Sequence, residues 1–221
     1  MKIFAIKSVP KTQWSSDKAL NFKPKPITLL MLCIGLTLFG FGESLIITAS
    51  AGMSPWTVLA EGLSITFGLG IGVLTFLISL GVLLLWIPLK QHPGIGTLLN
   101  VIIIASVIEW SLPYLPYPEN YFLRIVQAII GTLIVGFATG IYLIANLGPG
   151  PRDGLMTGCQ RVTGKPIAWV RVCLEVIVIS IGWSLGGTIG IATIIFAFGV
   201  GPSVSLGLYS ISFYSKKKGA N

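Results

Sequence analysis

At 221 residues, with 53% hydrophobic and only 10% charged side chains and a mean hydropathy of +0.87, the chain has more apolar surface than a water-soluble core of its size can hide. Soluble domains carry about 25% charged residues. The net charge of +8 sits in tails and short loops between apolar runs, a membrane-topology pattern that argues against a nucleic-acid-binding face.

In chain order, residues 1–26 come first, polar and basic with Lys2, Lys7, Lys11, Lys18, Lys23 and Lys25. No small-residue cleavage site precedes the first apolar run, so the segment reads as a disordered cytoplasmic tail and not as a cleaved signal. Six apolar runs follow, at about 27–50, 71–89, 94–112, 121–146, 167–185 and 188–211. Each is near the roughly 20 residues that a helix needs to cross hydrocarbon. Their continuous apolarity, without alternation, excludes barrel strands. Prolines 24, 26, 88, 93, 113, 116, 118 and 166 fall at the ends of runs, where a missing N–H does least harm. These signals predict an all-α membrane protein with six spans. The chain divides into a cytoplasmic basic tail at 1–26, a three-span unit at 27–112, an outer linker at 113–123, a second unit at 124–211 and a cytoplasmic basic tail at 212–221.

With both termini inside, thirteen of the fifteen Lys and Arg residues lie on one side. That bias predicts a multi-pass protein of the bacterial inner membrane with cytoplasmic N- and C-termini. Cys33, Cys159 and Cys173 show neither CxxC nor Cys/His spacing, which leaves them as small packing residues without disulfide or zinc.

The chain repeats itself when residue n is laid over n+96. Gly40-Phe41 falls on Gly136-Phe137, Gly52 on Gly148, Pro55 on Pro151, Gly62 on Gly158, Gly68 on Gly164 and Gly94-Ile95 on Gly190-Ile191. Chance matches in apolar sequence favour Leu and Ile, not Gly and Pro. Three spans per copy is an odd number, so the second copy enters the membrane upside down. A 3+3 inverted repeat of this kind is a transporter plan.

Each copy also holds a segment too apolar for a loop, at 52–68 and 148–164. Pro55 and Pro151 stand at the first helical position after Ser54 or Gly150 as cap, and Gly68 and Gly164 mark the stops. The spacing predicts one short helix per repeat, either re-entrant or interfacial. Its start offers unpaired N–H groups and a positive dipole end to an anion. Within these segments, Gly-Met-Ser-Pro-Trp-Thr-Val-Leu from Gly52 and Gly-Pro-Gly-Pro-Arg-Asp-Gly-Leu from Gly148 resemble the YczE/YyaS/YitT-type bacterial membrane proteins, the YczE kind above all. The resemblance spans roughly residues 27–211 and implies an integral inner-membrane protein. It carries no substrate or chemistry across.

The remaining polar residues define a candidate substrate site: Glu43 in the first span, Arg171 and Glu175 in the fifth, and Ser54, Pro55, Gly150, Pro151, Arg152 and Asp153 at the two short-helix starts. Ionisable groups in hydrocarbon cost about 2.5–3.5 kcal/mol each, so they are kept for partnered or functional use. Structural alternatives stand beside this reading. Arg152 and Asp153 would form an interfacial cap and local ion pair, Arg171 and Glu175 an i,i+4 pair, and Glu109 would simply reach water. The glycines at 35, 40, 42, 131, 136 and 140 are expected to permit close helix packing.

His92 is the sole histidine, and no catalytic triad, metal cluster or phosphate loop is present, so no enzyme activity and no cofactor or metal are expected. Two function classes remain. One is a small-molecule transporter or channel with its site at the repeat interface; the other is a membrane-embedded regulatory or assembly protein. The partners expected are the lipid bilayer and an unidentified small substrate, without nucleic acid; a homo-oligomer is compatible with either class.

Overall fold

The computed structural model describes residues 9–218, with side chains as far as Phe213. Eight α-helices follow one another: α1 (Pro26–Thr48), α2 (Pro55–Phe67), α3 (Ile71–Trp86), α4 (Ile95–Ser111, running into a 3-10 turn at Leu112–Tyr114), α5 (Tyr121–Ala145), α6 (Pro151–Thr163), α7 (Ile167–Ser184) and α8 (Ile191–Lys218). Five of them, α1, α4 with its 3-10 turn, α5, α7 and α8, are long and apolar enough to span a bilayer. The sixteen-residue α3 meets that test only together with α2, from which it turns by 114°. Apolar side chains cover the outside, Phe198 at 79% exposure and Trp169 at 66% among them. Only a lipid surround removes such groups from water.

The helix boundaries follow local chemistry. Pro55 and Pro151 begin α2 and α6, and both helices end on left-handed glycines, Gly68 at φ 68° and Gly164 at φ 67°. The Ser54 hydroxyl makes no cap bond and is committed elsewhere. At the far end, α8 does not stop near 211. Residues 212–218 contain neither Gly nor Pro, and the helix continues to Lys218 through the expected basic tail.

Two long pairings form the centre, α1 on α5 and α5 on α8. Small residues set their spacing: a Cβ on Gly42 would lie 2.8 Å from Val135, and one on Gly136 2.2 Å from Ser203. α2 crosses α7 still more closely, since a Cβ on Gly62 would sit 2.3 Å from the Gly182 carbonyl oxygen. The corresponding contact of α6 with α3 is built on Trp86, whose ring covers Gly154 and whose Nε1–H donates to the Pro151 carbonyl at 3.0 Å. α3 packs along α4, whereas α7 and α8 scarcely touch.

The loops before α2 and α6 make reciprocal contacts. Ala192 N–H donates to the Ala51 carbonyl at 2.9 Å, and Gly96 N–H to the Leu147 carbonyl at 2.7 Å. Gly52 and Gly148 have φ of 106° and 111°, and Thr97 Oγ1 and Thr193 Oγ1 accept from the Gly94 and Gly190 N–H groups, each at 3.2 Å.

The N-terminal tail departs from expectation. Residues 9–25 are non-helical but docked, not disordered; residues 1–8 lie outside the described part. Ser16 is buried, its N–H donating to Ala145 O at 3.1 Å and its carbonyl accepting from Asn146 Nδ2 at 2.8 Å. Thr28 Oγ1 donates to Trp14 O at 2.5 Å, and the Trp14 ring packs on the cluster containing Leu32, Leu36 and Tyr142. Trp14→Ala is therefore expected to cost about 2 kcal/mol, roughly half the loss from a fully buried tryptophan. Thermal unfolding in detergent measures this, and an unchanged melting temperature would show the docking to be energetically idle.

Candidate functional site

A cavity of about 140 Å³ lies at the centre and takes lining residues from all eight helices. Its walls are mostly apolar, with Phe39, Ile104, Val135 and Phe196, but charge converges on one side. Arg152 and Asp153 enter from the first turn of α6, and Arg171 and Glu175 from α7. α6 delivers its pair because Pro151 fixes the helix start and Trp86 holds the Pro151 carbonyl. The Arg152 and Asp153 N–H groups belong to the first turn, which has no intrahelical acceptors, and Gly150 offers no side-chain cap.

Of the residues singled out from sequence, Gly150, Pro151, Arg152, Asp153, Arg171 and Glu175 share this wall. Glu43, Ser54 and Pro55 do not. Glu43 is 1% exposed, and its Oε2 is hydrogen-bonded with Ser54 Oγ and Thr57 Oγ1, both at 2.9 Å. Pro55 is buried at the start of α2.

The expected Arg152–Asp153 ion pair is absent. Asp153 Oδ2 instead accepts from the Tyr142 hydroxyl at 2.6 Å, and the Arg152 guanidinium lies 5.3 Å from the centre of the Trp56 ring. Among the described residues the one ion pair is Arg171 Nε to Glu175 Oε1, at 2.8 Å. Arg152 therefore faces the cavity with a cation–π contact but no carboxylate partner. Burial pulls its pKa below the ordinary arginine value, and the neighbouring Asp153 charge opposes that shift.

Glu109 is exposed, as expected, and it also holds a second helix. Its Oε2 accepts from the Gly72 N–H at 2.9 Å and the Val73 N–H at 3.3 Å, capping α3 from α4.

Trp56, Asn100 and Tyr142 carry polar atoms into the wall and were not among the site candidates. Trp56 is 6% exposed and its Nε1–H has no partner; Asn100 and Tyr142 also line the space. A tyrosine inside a span carries a hydroxyl that needs a partner, which was the available signal. Tyr142→Phe removes the donor to Asp153, and losing a hydrogen bond to a charged group costs about 1.5–3 kcal/mol. Melting temperatures of the purified variant and wild type should differ accordingly; equal values would mean that water satisfies Asp153 as well as Tyr142 does.

Apolar helices of spanning length around a polar centre define an integral membrane protein of the all-helical class. Residues 27–208 match the model of a family of unknown function, DUF6198, and the chain belongs to that family. A Haemophilus influenzae protein described as uncharacterized is 40% identical over 208 residues, covering 94% of each chain. The Bacillus subtilis uncharacterized membrane protein YczE is 35% identical over 167 residues, covering 74% of this chain and 77% of its own. The B. subtilis protein YyaS is 26% identical over 166 residues, covering 73% and 83%. No solved structure matches.

Proposed function

We propose that this protein is a transporter or channel of the bacterial inner membrane for a small solute bearing an anionic group, without enzymatic activity or cofactor. The observation that carries the reading is the uncommitted Arg152 guanidinium at the α6 start, facing a central cavity beside Arg171 and Glu175. Two arginines and an uncapped helix start suit a carboxylate or similar anion. α7 and α8 both line the cavity yet scarcely touch each other, which suits movement between them.

The two halves are read as a 3+3 inverted repeat with the cavity at their interface. Residues 96 apart recur across the cavity as Trp56 and Arg152, Thr75 and Arg171, Ser79 and Glu175, and Asn100 and Phe196. The reciprocal Ala51–Ala192 and Leu147–Gly96 bonds support the same register. A symmetric scaffold with charges in one copy only suits one ligand bound in one orientation.

The test is untargeted metabolite profiling of deletion and overexpressing cells, inside and outside. An anionic metabolite whose inside-to-outside ratio moves in opposite directions in the two strains is the expected result. Flat profiles would transfer weight to a regulatory or assembly role.

Orientation is tested separately. Val162 is exposed near the end of α6, on the side assigned to the cytoplasm. In a background lacking Cys33, Cys159 and Cys173, Val162→Cys should react in intact cells with a permeant thiol reagent and resist an impermeant one. Rapid reaction with the impermeant reagent would invert the topology.

A further inference from the structure

Glu43 sits outside the cavity wall but shares the start of α2 with Trp56, which lines it. Three oxygens form a closed triangle there: Ser54 Oγ and Thr57 Oγ1 each lie 2.9 Å from Glu43 Oε2, and 2.8 Å from one another. Oxygens this close attract only when a hydrogen lies between them, so three sides need three hydrogens. The two hydroxyls supply two. The Glu43 carboxyl is the remaining source. Its Oε2–H donates to one hydroxyl, that hydroxyl donates to the other, and the second donates back to Oε2.

The other carboxyl oxygen points the same way. Oε1 is buried and has no donor, a heavy penalty for a carboxylate and a much smaller one for the carbonyl oxygen of a neutral acid.

We propose that Glu43 is a proton-carrying group, coupled through Arg152 to an anion bound in the cavity. The coupling rests on the solute-carrying reading above; the proton site itself does not. The surroundings leave one charge to act on Glu43. α2 presents only the Ser54 and Thr57 hydroxyls, Tyr142 of α5 is committed to Asp153, and Glu109 of α4 is committed to the start of α3. Arg152 of α6 lies 5.3 Å from the centre of the Trp56 ring, and Trp56 is the chain neighbour of Thr57 at the α2 start, so this guanidinium is the charge that reaches Glu43. An anion on the guanidinium cancels that positive field, and Glu43 keeps its proton. When the anion leaves, the Arg152 field weakens the hold of Glu43 on its proton, so the carboxyl gives it up to water at a lower pH than with the anion bound. Proton and anion therefore bind together, and the linkage is reciprocal.

Infrared difference spectra of the full-length protein in lipid at pH 7, wild type minus Glu43→Gln, test the site. A protonated-carboxyl band in the difference is expected; carboxylate bands alone would overturn the proposal. Should Glu43→Gln fail to fold, Glu43→Asp serves instead by shifting the band. In Arg152→Gln the band should persist to about one pH unit higher, as expected when an opposing charge is removed; an unchanged titration would refute the coupling. A band present with flat metabolite profiles would sink the transport reading and keep the proton site. A ratio change without the band would do the reverse.

Discussion

Gly52→Ala and Gly148→Ala are expected to deprive the cell of most folded protein, Gly52→Ala more completely. Both glycines hold positive φ, 106° and 111°, where an L side chain adds strain of about 1–3 kcal/mol. Space then separates them. A Cβ on Gly52 would stand 2.4 Å from the Gly190 backbone nitrogen, whereas one on Gly148 meets the Thr97 hydroxyl at 2.8 Å and Gly94 Cα at 3.0 Å. The first obstacle is backbone and cannot turn aside; the second is partly a side chain that can. Overpacking adds about 1–3 kcal/mol, so the sum approaches the about 5–15 kcal/mol that holds a typical fold together. The damage also falls where these loops meet distant helices, since the Ala51 and Leu147 carbonyls beside these glycines accept from the starts of α8 and α4. Size-exclusion profiles of detergent extracts with a fluorescent tag read the effect. Monodisperse peaks of wild-type height for both variants would show that the loops relax at little cost.

That outcome would also bear on what the residue pattern reveals. Apolar runs and terminal prolines mark the helices because the bilayer enforces one rule on every span. Gly52, Gly94, Gly148 and Gly190 were legible as fixed points because only glycine serves where backbone meets backbone, Gly52 against Gly190 and Gly148 against Gly94. Long-range polar partners were not legible. Asp153 next to Arg152 reads as a local pair, yet Tyr142 from α5 holds it; Glu109 near a helix end reads as solvated, and it is exposed, but its capping of α3 went unread. No spacing rule links residues 37 positions apart. The lysine-rich N-terminus was misread for a related reason. Its charge describes an orientation signal, while its attachment depends on Trp14 and on the Ser16 backbone groups, which composition averages away.

Arg152→Gln is expected to abolish the inside-to-outside metabolite ratio while leaving the protein folded. The structural loss is confined to a cation–π contact with Trp56, worth about 0.5–2 kcal/mol, well below the stability of the bundle. It also relieves the cost of keeping an unpaired guanidinium half-buried. The functional loss is larger in consequence. Hydrogen bonds from a guanidinium to an anion contribute about 1.5–3 kcal/mol, a roughly 10- to 150-fold change in affinity. Arg152→Lys should fall between, since it keeps the charge and loses the planar fork. Arg171→Gln is expected to be milder, because Arg171 is 44% exposed and already bonded to Glu175, so solvent and its partner blunt its pull on a solute. Parallel strains expressing each variant at matched membrane level are assayed for the metabolite that responds to the wild type. The expected order places Arg152→Gln below Arg152→Lys, and Arg152→Lys below wild type. A full wild-type ratio in Arg152→Gln cells would remove Arg152 from the site and leave the cavity without its anion-binding group.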